Sequence, residues 1–295
     1  MRDADDLPLT VPPADGPLPT EDEVRRWIYA YLRHAPLSLT LREINRLVAV
    51  DAVATNKGAI LDVGCGDGFW WTLRGGEANR EVYGIDVSAV EVAQARSRIN
   101  AALTDVSEER PFPSIEFQEI IGNCSLEHVP DIDAALSNLR KAAAPNARLI
   151  MFVPTPRWAL HGRLQKLLLK RAPRLAMALS GALNGFFQHW HLYDAKVWTR
   201  LLAQHGWKVT ATYGLGSSRS EFLFRLFLPP GFVEFLGKKL TGVYPSRMIG
   251  KFLPDALLAP AAKLVQWAVS DPLVPVDSPH AYEYLIIADA DEVPA

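Results

Sequence analysis

The segment Ala59-Ile60-Leu61-Asp62-Val63-Gly64-Cys65-Gly66-Asp67-Gly68 governs the reading of everything around it. Its apolar run, Ala59 to Val63, has the length of a buried strand and empties into three alternating glycines. Glycines at such a place permit a tight turn, let a ligand approach the backbone and allow the next helix to pack closely. The dinucleotide-binding version of this loop spaces its glycines G-x-G-x-x-G. Here they alternate singly after an acid, Asp62, which suits an amino-acid and nucleoside ligand that lacks a pyrophosphate. About twenty residues on, a second strand, Glu81 to Ile85, ends at Asp86, where a carboxylate can accept hydrogen bonds from both ribose hydroxyls.

Outward from this pair, strands and helices alternate, the pattern of a parallel sheet covered on both faces. Ser88 caps a helix bearing Val90, Val92, Ala93 and Ile99. Ala101 to Val106 is the expected third strand, Ile115 to Ile121 the fourth, Ile132 to Ala143 a helix, and Arg148 to Val153 the fifth strand. After a lapse the pattern resumes as helix Asp194 to His205 and strand Trp207 to Tyr213, then lapses again until a closing strand, Tyr282 to Ala288. Upstream, Thr20 is placed to cap a helix that carries Val24, Trp27, Ile28 and Tyr31, and a second helix at about Leu39 to Val53 follows Pro36. The expected organisation is a disordered tail (1–20), a helical cap (21–57), a ligand-binding half (58–156), a basic apolar insertion (157–193), a helix and sixth strand (194–216), an apolar insertion (217–280) and a closing strand with its tail (281–295).

In the segments LDVGCGDG (61–68), VYGIDVS (82–88), NCSLEHVPDID (123–133) and HLYDAKVWTRLLAQHGWKV (191–209), the chain resembles class I S-adenosyl-L-methionine (SAM) methyltransferases. The likeness is greatest to the small-molecule branch related to ubiquinone and menaquinone methylases, and it covers residues 58 to 213. It implies an α/β, doubly wound, Rossmann-like sheet of seven strands, mostly parallel with an antiparallel last strand, interrupted by helical insertions. It also implies roles. Asp62 and the loop Gly64, Cys65, Gly66 and Gly68 would hold the methionyl part of SAM, Asp86 the ribose, and Val87 the adenine face. Asp105 would meet the adenine amino group, and Asn123 and Cys124 would line the wall beside the sulfonium. Two departures stand out: Gln118 where many relatives carry Asp, and Ala144-Pro145-Asn146-Ala147 in place of a Lys-Pro-Gly-Gly turn. Asn146 can adopt the left-handed conformation that Gly would supply. Trp70 and Trp71 beside the loop either narrow the methionine pocket or pack in the core, and packing is the favoured reading.

Methyl transfer asks the protein to align the acceptor, exclude water and, for a hydroxyl, remove a proton. His128, just after the fourth strand, and His191, before the helix that precedes the sixth, are the expected bases, ahead of His189. Spacing gives these histidines and His161 no convincing third ligand, so no metal is expected.

A formal net charge of -2 supplies no field for a polyanion, and no nucleic-acid partner is expected. The fourth strand also lacks the Asn/Asp-Pro-Pro-Tyr/Phe motif of many base-amine methylases. Two cysteines build no disulfide framework, and the acidic start Met1 to Asp6 is no secretory signal, which together point to the cytoplasm. No apolar run is long enough to span a bilayer; Arg225, Pro229-Pro230 and Glu234 interrupt the best candidate. From Ala134 to Tyr193 there is no Asp or Glu, while Arg157, Arg163, Lys166, Lys170, Arg171 and Arg174 gather around leucines. Such a segment suits an anionic membrane surface, peripheral at the inner face, and equally an acceptor lid or a homodimer contact. Either way the expected acceptor is small and apolar, or linked to a lipid or glycan, and is methylated at a hydroxyl. The competing classes are a SAM-fold scaffold without catalysis and a nucleic-acid methyltransferase.

Overall fold

The computed structural model describes residues 19–55, 57–74, 81–156, 158–160, 163–269 and 273–291. The expected tail, apart from Pro19 and Thr20, lies outside the described residues, as do Arg157 and His161.

Five parallel strands form the first half of the sheet: β1 (Ile60–Val63), β2 (Val82–Asp86), β3 (Asn100–Leu103), β4 (Phe117–Asn123) and β5 (Ala143–Pro154). With β6 (Trp207–Leu215), β7 (Leu273–Val274) and β8 (Glu283–Ala290) the order is β3-β2-β1-β4-β5-β8-β6-β7. The closing strand β8 lies antiparallel between β5 and β6, as the resemblance implied. Among the described residues the count is eight rather than seven, because the two-residue β7 pairs with Gly214 and Leu215 at the edge of β6. Two paired residues have no periodicity for a sequence to display. The third strand stops at Leu103 instead of running to Val106, and β5 begins at Ala143 rather than Arg148. Ala143 pairs with Phe117 and Arg148 with Glu119, so residues 144–147 bulge out, and Asn146 at φ 59° makes the left-handed turn. Gln118 Oε1 accepts from the Ala59 N–H at 2.8 Å, so this departure from the family pattern steadies the entry to β1.

Side-chain alternation sorts the strands into two cores. Ile60, Ile121, Ile150, Phe152, Leu285 and Ile287 face one, while Leu61, Val63, Ile120, Leu149, Met151 and Ile286 face the other. The second core is closed by α5 (Ile132–Ala142) and α8 (Ala195–Gln204), whose Trp198 is fully buried. The first is closed by α1 (Glu21–His34), α2 (Leu37–Asp51), α9 (Ser218–Thr241) and α11 (Asp255–Ala268), so the N-terminal cap and the second insertion share one core. Thr20 caps α1 as expected, completing a reciprocal capping box with Glu23. Where α9 crosses α2, a Cβ on Gly231 would stand 2.2 Å from Ser38 Oγ, a contact only glycine allows. α9 continues as a helix through Pro229 and Pro230. Among the described residues no helix is long and apolar enough to cross a membrane.

Candidate active site

The order β3-β2-β1-β4 reverses direction at β1, so a crevice opens at the carboxyl ends of β1 and β4, where ligands of such sheets bind. Gly64, Gly66 and Gly68 occupy this edge with φ of 75°, 54° and 71°. Gly64 has no room for a side chain: a Cβ would meet Ser125 Cβ at 2.5 Å. The Gly64 and Cys65 N–H groups both donate to Ile85 O, and the Gly66 N–H donates to Asp86 Oδ2 at 3.0 Å. Asp86 Oδ1 accepts from the Ser88 N–H at 2.8 Å, so its carboxylate is fixed by the two turns it joins. Asp67 clamps the loop from outside: His34 of α1, Arg98, and Arg247 of α10 (Pro245–Gly250) all converge on its Oδ2. Although burial alone would raise the Asp67 carboxyl, these partners hold it well below the usual range.

Gly64 separates two cavities. The larger, about 420 Å³, is lined by Asp86, Val87, Asp105, Cys124, Ser125 and His128 among others. Val87 is exposed, and Asp105 Oδ1 is occupied by the Ser107 N–H and hydroxyl at 2.9 and 2.6 Å. The smaller cavity, about 170 Å³, gathers Asp62, Gly64, Cys65, Gly66, Asn123 and Trp70 with Tyr31, Glu43 and Tyr244 from the helical cap and second insertion. Trp71 Nε1 donates to Asp62 Oδ2 at 2.6 Å, while both tryptophans are buried and meet edge to face. Trp71 therefore packs in the core, and Trp70 both packs there and walls the cavity. Burial pushes the Asp62 carboxyl up to about 7, against the pull of the Trp71 hydrogen bond. Asp62 Oδ1 and Asn123 Oδ1 are buried with no hydrogen-bond partner among the described residues.

Behind Asn123 lies a buried ionic network that sequence reasoning missed. Asn123 Nδ2 donates to Glu43 Oε2 at 2.9 Å, and Arg46 joins Glu43 Oε1 at 2.6 Å to both oxygens of Glu283. Arg42 closes the network on Glu283. Arg46 Nη2 also reaches Cys124 Sγ, and burial pushes this thiol up to about 12, so it stays protonated. The available signal was the cluster Arg42, Glu43 and Arg46 inside an otherwise apolar helix, since buried charges are seldom placed without partners.

The histidines separate clearly. His128 ends a one-turn helix (Leu126–His128) and lines the larger cavity. His191 is buried with both ring nitrogens engaged, Nδ1 with Tyr193 Oη at 3.0 Å and Nε2 with Val129 O at 2.8 Å, and it lines neither cavity. His189 stacks on His128 with ring centroids 5.1 Å apart, and burial depresses it to about 3, keeping the imidazole neutral. Beside them Glu127 is buried at 1% exposure, with Oε2 unpartnered among the described residues.

The profile of a family described as "Methyltransferase domain" matches residues 31–212. A probable chloroplastic tocopherol O-methyltransferase of Oryza sativa subsp. japonica is 29% identical over 102 residues, 32% of this chain and 28% of that protein. The match thus spans under a third of that relative's length. Among solved structures, the 4+2 cyclase SpnF superposes with a TM-score of 0.50 at 19% identity, covering 85% of this chain and 82% of that one. The geranyl diphosphate C-methyltransferase from Streptomyces coelicolor A3(2) gives 0.47 at 13% identity, covering 81% and 74%. At 19% identity the likeness to SpnF speaks for the fold alone.

Proposed function

The chain belongs to the methyltransferase-domain family, whose cofactor is SAM, and from that premise we propose that it transfers a methyl group to a hydroxyl of a small, apolar acceptor, free or linked to a lipid or glycan. What supports the donor most directly is the pair of orphaned oxygens, Asp62 Oδ1 and Asn123 Oδ1, beside the glycine loop. A buried acceptor atom without a donor costs about 1–3 kcal/mol. An ammonium group supplies the missing N–H bonds together with a charge to match Asp62, so the smaller cavity fits the methionyl end. The larger cavity, with Asp86, Val87 and Asp105, fits the adenosine. Bound there, SAM supplies an electrophilic methyl group on a positive sulfonium.

The chain's own residues then align the acceptor, keep water out and take its proton. His128 is the proton acceptor: its Nδ1 lies 3.2 Å from Gln188 O, a bond that leaves Nε2 with the lone pair. His191, engaged at both nitrogens, holds the turn at Val129 in place. The acceptor's apolar part belongs against the insertions. Their outer face exposes Leu167, Leu169, Leu175 and Met177 among exposed Lys166, Lys170, Arg171 and Arg174 on α6 (Arg163–Arg171) and α7 (Pro173–Phe186). We assign this apolar face with its basic rim to an anionic membrane surface, peripheral at the cytoplasmic side.

The same fold serves a cyclase, so fold alone does not select the reaction. Calorimetry with S-adenosylhomocysteine tests the donor, and absence of binding at sub-millimolar ligand would sink it. Transfer of labelled methyl from SAM into extracted lipids and glycolipids tests the reaction. His128→Ala should slow it by about 10²–10⁴-fold, the usual worth of a positioned base. Flotation with anionic but not neutral liposomes tests the surface, whereas a concentration-dependent dimer without flotation would reassign it to self-association.

A further inference from the structure

Glu127, His128 and His189 each offer a ligand atom, and the three atoms lie within 4.8 Å of one another. We propose that they bind a divalent transition ion of the zinc class, through two imidazole nitrogens and one carboxylate oxygen. The sequence reading expected no metal for want of a third ligand; the fold supplies Glu127, adjacent in sequence to His128 and brought beside His189 by a loop. His128 Nε2 stands 3.6 Å from Glu127 Oε1. Two ligands on a tetrahedral ion at about 2.0–2.1 Å are separated by roughly 3.3 Å, so this edge of the site is nearly formed. His189 needs a shift of order 1 Å to close the remaining edges.

Three further observations point to an ion. The His128 Nδ1 bond to Gln188 O fixes the tautomer that leaves Nε2 open, the arrangement by which ligating histidines are oriented. His189 Nδ1 likewise approaches Asn184 Oδ1 at 3.5 Å, whose other partner is Trp158 Nε1. Glu127 is buried with Oε2 unpartnered, a costly state that a cation relieves. The backbone is built to hold this geometry: Glu127 O accepts from the Trp190 and His191 N–H groups, and Gln188, at φ 55°, turns the chain so that His189 lies against His128. The charge count also favours a cation. Arg42 and Arg46 are engaged by Glu43 and Glu283, so neither guanidinium forms an ion pair with Glu127 among the described residues.

The ion and a proton would compete for the same His128 Nε2. With the ion in place His128 is a ligand, and an acceptor hydroxyl bound at an open coordination position loses its proton to solvent because the metal lowers its pKa. Occupancy does not depend on methyl transfer; only this use of the ion rests on the proposed function, and the test reads binding alone. The full chain is stripped with chelator, dialysed, and titrated with Co²⁺ by visible absorption and with Zn²⁺ by calorimetry. One equivalent should bind the wild type and produce the d–d bands of a low-symmetry Co²⁺ site. His189→Ala and the isosteric Glu127→Gln should each weaken binding at least tenfold. Zn²⁺ should also raise the melting temperature of the wild type and leave that of Glu127→Gln unchanged, a readout that guards against a variant that is merely misfolded. Equal affinity and equal thermal shift in wild type and Glu127→Gln would overturn the site, as would a wild type that binds neither ion.

Discussion

On one side of Gly64 the cleft is walled by backbone and by groups close together in sequence: the Gly66 N–H on Asp86, the Ser88 N–H on the same carboxylate, Val87 beside them. On the other side the wall is made of side chains delivered from far apart, with Glu43 from α2, Tyr244 from the second insertion, and Glu283 of β8 anchoring Arg46 across 237 positions. The first wall needs only the turns that follow β1 to β4, all of them between residues 63 and 130. The second exists only once the cap, the closing strand and the insertion have packed together. The adenosine side and the methionyl side of the cleft can therefore be damaged separately.

The largest effect should come from Glu283→Ala. Glu283 is fully buried between Arg42 and Arg46, and removing it strands two guanidinium groups. About 3–5 kcal/mol of stability should be lost in urea denaturation. Because Glu283 holds Arg46, Arg46 holds Glu43 and Glu43 holds Asn123, the folded fraction should also bind S-adenosylhomocysteine several-fold more weakly; unchanged affinity would uncouple the network from the methionyl side. Gly64→Ala attacks the near wall instead. Strain at φ 75° and the clash with Ser125 should cost about 1–3 kcal/mol and eliminate calorimetric binding. Gly66→Ala, whose new Cβ would have its nearest neighbour 4.0 Å away, should be milder on both counts.

Asp62→Asn sits at the seam. Losing a charged partner should weaken donor binding by about 1.5–3 kcal/mol, roughly ten- to a hundredfold. Because burial raises the folded Asp62 carboxyl to about 7, above its unfolded value, its contribution to stability is full below pH 4 and lost as pH rises through 7. The donor-free protein should melt lower at pH 8 than at pH 5 through this group, donor affinity should climb over the same window, and both trends should flatten in Asp62→Asn. Asp105→Asn should have the smallest effect, about 1 kcal/mol or less on donor affinity, since Oδ1 is already committed to Ser107.

What the sequence revealed follows the same division. The glycine loop and Asp86 were legible because turn chemistry and strand ends act over a few residues, and Thr20 and Asn146 were legible for like reasons; the antiparallel direction of the closing strand came from the family resemblance. The edge strand β7 was not, being two residues long. The network of Arg42, Glu43, Arg46 and Glu283 was invisible because no local pattern tells a helix which strand it will meet. His128 and His191 looked equivalent in sequence. Only packing shows one beside a cavity and the other pinned at both nitrogens, and only packing sets Glu127 against His189.

The position of β8 has a consequence for how the molecule is made. Among the described residues it is the last strand in sequence and yet lies inside the sheet, hydrogen-bonded to β5 on one flank and β6 on the other. A nascent chain can assemble β1 through β5 as soon as residue 154 has emerged. β6 and its edge partner have no place to dock until residues 283–290 arrive, and until then β5 presents a bare edge open to wrong partners. Completion of the sheet is therefore expected only once residues 283–290 have emerged. Hydrogen exchange on ribosome-arrested chains halted before residue 283 would show protection in β1, β4 and β5 and none in β6.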